Sequence, residues 1–202
     1  MQGYKLRPRD GIRWQAAVRV EKYSPDQVTF ARRLSGLAEP TAAELRELCG
    51  YPEDGAVEAY GNLLVTVGLN VITNLITGGG DNAFSHSNAI VGVGAGTTAA
   101  AVGDTALTDD NTSSAWYQQA DSSYPTQSEG VITCVATFAS GNANFAWQEW
   151  CWAIGGGGTI TAGDHLSAVT STAPAMINHK VQSLGTKSSG AAWVFTGTVT
   201  LS

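Results

Sequence analysis

The chain has 202 residues, long enough to take ~70% of its unfolded surface out of water on folding, so it needs no disulfide or metal staple. Charged residues make up 14% of it, against a typical ~25%. Nine of the eleven Lys and Arg precede Gly61, so the formal net charge of −6 belongs to the later part, where a nucleic-acid surface would repel phosphate, and no direct nucleic-acid partner is expected.

The same charge split predicts a boundary near residue 60, with an N-terminal arm over 1–60 and a second domain over 61–202. In the arm, IRWQAAVRVEKY from Ile12 to Tyr23 alternates with period two, setting Ile12, Trp14, Ala16, Val18 and Val20 on one face, which predicts a half-buried strand. Ser24-Pro25-Asp26-Gln27 supplies an N-cap, a first-turn proline and a capping-box glutamine for a short helix through Leu34, stopped at Gly36. Thr41 and Glu44 repeat the device for a second helix to Cys49, closed by Gly50 and Pro52. With too little apolar content to stand alone, the arm is expected to lay its strand on another subunit.

Asn62 to Thr77 places Leu64, Val67, Gly68, Val71, Ile72, Leu75 and Ile76 at helical spacing and stops at three glycines, predicting an amphipathic helix. Beyond it, short β-rich runs lie between turns: Ala89–Val93, Ala115–Ala120, Val131–Ala139, Asn144–Ile154, Thr159–Thr161, Ala175–Val181 and Ala191–Leu201. This pattern predicts a mainly β fold, a β-sandwich or jelly-roll-like domain preceded by one amphipathic helix and the α/β arm.

Chemistry is sparse. Cys49, Cys134 and Cys151 are odd in number and far apart, reading as buried free thiols rather than a disulfide framework or zinc pattern. Gly94-Ala95-Gly96-Thr97-Thr98-Ala99 matches a permissive dinucleotide loop but lacks the helix and βαβ context, so a close-approach turn is expected instead. His86, His165 and His179 are dispersed, and only His165 has an acid beside it, Asp164. Asp104, Asp109 and Asp110 lack the alternating ligands and central glycine of a calcium loop and read as a solvated turn. No catalytic residue, metal or cofactor is expected. No apolar run nears ~18 residues and no basic-then-apolar leader follows Met1, so neither a membrane span nor a signal peptide is expected.

The most unusual segment is NFAWQEWCW, Asn144 to Trp152. Strict alternation sends Phe145, Trp147, Glu149 and Cys151 to one face and Ala146, Gln148, Trp150 and Trp152 to the other. One face is then expected to fill a core and the other a subunit contact, as aromatic residues concentrate at interface centres. The expected interface residues are Ile12, Trp14, Val18, Val20, Trp147, Trp150 and Trp152.

Residues 60–202 carry NLLVTVGLNVITNLITGGG, then GVGAGTT at Gly92 to Thr98, NANFAWQEW at Asn142 to Trp150, and KVQSLGTK before a final strand. In that order they resemble a family of small virion structural proteins of tailed phages. The resemblance implies a structural role without chemistry, either as a capsid decoration protein or as a tail-associated component. It implies a location in the virion, partners among copies of itself, as a homotrimer, and the major capsid protein or other virion proteins, and no membrane. A tail or baseplate component, a carbohydrate-binding receptor module and a hydrolase stand as alternatives.

Overall fold

A computed structural model describes residues 13–170 and 172–202. In chain order these form β1 (Trp14–Tyr23), α1 (Pro25–Ser35), α2 (Ala42–Cys49), β2 (Ala56–Tyr60), β3 (Leu63–Leu64), α3 (Thr66–Thr77), β4 (Ala89–Gly94), β5 (Ala115–Gln119), β6 (Thr126–Ser128), β7 (Val131–Phe138), β8 (Ala146–Ile154), a short 3-10 turn (Leu166–Ala168), β9 (Ala175–Thr186) and β10 (Ala192–Leu201). The strands make two antiparallel five-stranded sheets, in the orders β2-β1-β10-β7-β6 and β3-β9-β8-β4-β5. The protein is therefore mainly β. Ile12 lies outside the described residues.

Local signals place the helices. Ser24 and Gln27 bond each other's backbone N–H at the start of α1, and Thr41 and Glu44 do the same for α2, so both capping boxes form. Gly36, with φ of 73°, closes α1 in the left-handed region that glycine enters at little steric cost. Helix α3 starts later than its periodicity predicts, at Thr66. Leu63 and Leu64 instead pair with His179 and Asn178 as a short edge strand. Thr159–Thr161 forms no strand, whereas β9 runs five residues beyond the expected Val181.

The first sixty residues are not a detached arm. β1 lies between β2 and β10 and pairs with β10 through ten consecutive positions, from Trp14 opposite Leu201 to Tyr23 opposite Ala192. Its apolar face did need a partner, as the alternation requires, and the same chain provides it. Val18 and Val20 are 2% and 0% exposed, inside a cluster with Phe195 and Val199 of β10. On the other face of this sheet, Val28, Ala31, Ala42 and Leu45 of α1 and α2 pack on Tyr23, Val135 and Val194. A cut at residue 60 would remove two of the five strands of this sheet.

The main apolar cluster draws on both sheets and is dominated by tryptophan. Trp147 meets Phe138 and Trp193 edge-on at 4.7 and 4.8 Å, and Trp150 meets Phe195 at 5.7 Å. Gly197 makes room for the third, since a Cβ there would lie 2.6 Å from Cζ2 of Trp152. An aromatic side chain of this size buries ~150–250 Å², worth about 4–6 kcal/mol each at ~25 cal/mol per Å² before ordering costs.

Candidate functional site

Strand β8 determines where the buried charge goes. Its pairing with β9 slips between Trp147 and Glu149 and again between Trp152 and Ala153. A bulge inserts an extra residue and so resets which face each later side chain takes. Trp147 therefore joins Trp150 and Trp152 in the main core, while Cys151 and Ala153 enter the second cluster on the opposite face of the sheet. All three tryptophans are at most 2% exposed. They are filled from within the chain, and the subunit contact expected of Trp147, Trp150 and Trp152 is corrected on that ground, as it is for Val18 and Val20. Trp14 is half-buried and donates its indole N–H to Asn62 Oδ1 at 2.7 Å.

Glu149 is fully buried. Its carboxylate lies 2.8 Å from Nε2 of His179 on β9 and accepts the backbone N–H groups of Thr108 and Asp109 at 3.0 and 3.2 Å. On the far side of the ring, Nδ1 of His179 lies 2.7 Å from Asp104 Oδ2, which also accepts the N–H of Ala101. Burial pushes the Glu149 carboxyl up and the His179 imidazole down, yet the bonds between them win. Glu149 is held below its usual range and His179 above its own. Asp104 is also lowered, the Ala101 and His179 bonds outweighing its burial.

Both ring nitrogens face carboxylate oxygens, which only accept, so the arrangement favours an imidazolium held between the buried Glu149 and the part-exposed Asp104. With both ring nitrogens donating, His179 has no lone pair for a metal or a substrate proton. What it does is fasten the loop after β4 to the sheet. Two glycines of the GVGAG stretch belong to this arrangement: a Cβ on Gly94 would lie 2.5 Å from Glu149 Oε1, and one on Gly96 would overlap the same oxygen. They clear space for a carboxylate of the protein itself, not for a phosphate. An open groove of ≈ 620 Å³ runs past His179, with Asn62, Thr97, Ala100 and Lys180 on its walls.

A second ionisable chain links two other loops. His165 Nδ1 lies 2.6 Å from Asp110 Oδ2, and its Nε2 lies 2.6 Å from Ser167 Oγ. Asp110 Oδ1 accepts the N–H of Leu166 at 2.8 Å, so one carboxylate orients the ring and caps the 3-10 turn. The partner of His165 is Asp110, not its sequence neighbour Asp164. Asp104 and Asp110, read together as a solvated turn, therefore serve two different histidines. Among the described residues, no group of three or more His, Cys, Asp or Glu is placed to hold a metal ion.

Lys187 is the remaining buried charge, 1% exposed. Its ammonium donates to the carbonyls of Ala139 and Asn142 and to Asn144 Oδ1, at 2.9, 2.9 and 2.7 Å, and pins the NANF turn that leads into β8. Burial lowers its pKa to about 8. The cysteines are free; burial pushes the thiols of Cys134 and Cys151 up, away from the reactive thiolate.

Outside, exposed apolar side chains form two groups: Phe30, Leu34 and Leu37 on and just after α1, and Leu69, Leu75 and Ile76 on α3, with Val102 beside the first turn of α3. No helix among the described residues is long and apolar enough to cross a membrane. The chain matches no protein-family model, no curated protein and no solved structure.

Proposed function

We propose that the protein is a structural component of a bacteriophage particle, a capsid decoration protein that sits on the outside of the head as a homotrimer and contacts the major capsid protein. The resemblance of residues 60–202 to phage virion proteins motivates the reading. The observation that carries it is how the buried charged side chains are used. Glu149, His179 and Lys187 are each locked to partners within the chain, which favours a rigid body over a reaction centre, while uncharged apolar surface is left outside. A β-sandwich body suits this role, and the shared apolar cluster of the two sheets supports face-to-face packing. Immunogold labelling of intact particles of the encoding phage tests it. Gold on heads is the expected result; gold on tails moves the protein to the tail or baseplate, and bare particles overturn the reading.

One observation favours a second reading, a hydrolase. Ser167, His165 and Asp110 stand in the order of a nucleophile, its base and the group that orients the base. Labelling of Ser167 by a fluorophosphonate, abolished in His165→Gln, would support it. The local spacing of Ser167 and His165 on one turn agrees better with a clasp between loops, for which no labelling is expected.

A further inference from the structure

Helix α3 is made of residues that do not hold a helix in water unaided. Seven of its twelve residues, Thr66, Val67, Val71, Ile72, Thr73, Ile76 and Thr77, are β-branched and lose side-chain freedom in a helix. A twelve-residue helix is marginal even with good formers and draws its stability from packing. Only its first half has that packing: Gly68 lies so close to the Ile177 backbone that a Cβ would overlap it, and Val71 is 8% exposed. From Thr73 to Gly80 every residue is exposed, Ile76 at 80%. Beside the buried side, Leu69, Ile72 and Ile76 are spaced by three and four; Ile72 is half-buried against the main core, while Leu69 is 47% and Ile76 80% exposed.

The charge pattern says what covers it. Between Glu58 and Asp81 the chain has no charged residue and no histidine, and the loop from Ala99 to Val102 beside the helix start has none either. Asp81, the next charge along the chain after the helix, is bound to Asn74 at the helix end. Two bodies of net charge −6 repel through most of their surfaces, and this face lets them meet without opposing charges. A basic partner would gain nothing from it. The polar groups along the helix are uncharged, and several are occupied: the Thr73 and Thr77 hydroxyls donate to carbonyls of the helix itself and the Asn74 amide to Asp81, so none of them repels its own copy.

We infer that the exposed stripe of α3 is a self-association surface, Leu69, Ile72 and Ile76 packing against the same residues of a second copy. This rests on the virion reading, in which copies of the chain contact one another, and adds to the homotrimer proposed there a contact between two copies related by a two-fold axis. The test is sedimentation equilibrium of the full chain at micromolar concentration, for the wild type, Ile76→Asp and Leu69→Asp. Both sites are exposed, so circular dichroism melts are expected to stay at the wild-type position and show that the fold is intact. The wild type is expected to associate. Each variant should raise the dissociation constant at least about a hundredfold, since a symmetric contact buries the new carboxylate twice. A monomeric wild type overturns the inference. So does association unchanged in both variants, which places the contact elsewhere. If the wild type is monomeric alone but Ile76→Asp lowers occupancy on particles, the face serves a different protein and the self-contact is likewise overturned. Immunogold labelling of particles reads the virion role separately, so gold on heads beside a monomeric wild type would reject the surface and keep the role.

Discussion

Replacing Glu149 by Gln changes one buried atom and should remove much of what ties the loop after β4 to the sheet. The carboxylate now accepts from His179 Nε2, Thr108 N and Asp109 N. An amide has one oxygen, so its NH2 must face at least one of these donors. The charge-assisted bond to His179 is worth about 1.5–3 kcal/mol, and breaking a buried ion pair while its partner stays charged costs about 3–5 kcal/mol. Asp104 still holds the other ring nitrogen, which sets the expectation near the lower figure, about 3 kcal/mol. For a chain of this size that lowers the melting temperature by ~6–12 °C.

The pH dependence gives the test its sign. His179 has a folded pKa above the ordinary 6.5, so its contribution is fully present below 6.5 and is lost as pH rises through the folded value. Glu149 lies below its ordinary 4.5, so its contribution is present above 4.5 and is lost as pH falls through the folded value. The gap between wild type and Glu149→Gln should therefore be largest between pH 4.5 and 6.5. It should narrow on either side. Scanning calorimetry from pH 4 to 9 measures it, and Glu149→Gln with His179→Gln should recover part of the loss. A gap under about 1 kcal/mol at pH 6, or one indifferent to pH, would refute the assignment of a charged pair.

Lys187→Met should cost about 1–3 kcal/mol at neutral pH, because three part-buried acceptors lose their donor. Since burial holds Lys187 at about 8 when folded and its ordinary value is 10.5, the wild type gains stability as pH rises between them; melts at pH 8 and 10 should show the gap to the variant widening. Residues 61–202 expressed alone lack β1 and β2 and should show no cooperative melt by circular dichroism, whereas a melt near that of the full chain would restore the arm as a separate piece. Gly197→Ala puts a methyl group against Trp152, and its denaturation midpoint should report a loss of about 1–3 kcal/mol from overpacking.

Elements whose causes are local were legible in the sequence. Ser24 with Gln27, and Thr41 with Glu44, announce two helices because a cap acts over three residues. The apolar alternations of β1 and β10 likewise mark them as half-buried strands. What depends on partners far along the chain was not legible. Alternation shows that Val18 and Val20 need cover but not whether it comes from the same chain, and β10 provides it. Period-two counting also assumes an unbroken pairing, so the bulge before Glu149 was invisible, and with it the joint burial of Trp147, Trp150 and Trp152. The buried cluster did leave a signal: a lone carboxylate inside NFAWQEWCW needs donors once the strand is interior, and the alternate glycines of the GVGAG run offer a place for it. The choice of Asp110 over Asp164 by His165 is set by two loops meeting in space, which no neighbour rule predicts.

The position of β10 bears on how the protein is made. It lies between β1 and β7 yet follows every strand it joins in the order of synthesis. While the chain emerges from the ribosome, the apolar face of β1 therefore waits for a partner through most of translation, a state in which nascent strands pair with the wrong neighbours. Closure of that sheet depends on contacts between opposite ends of the sequence, which places folding in the slow, millisecond-to-second class of all-β topologies. A shortage of chaperones or a ribosome stalled before Ala192 would thus appear as insoluble chain.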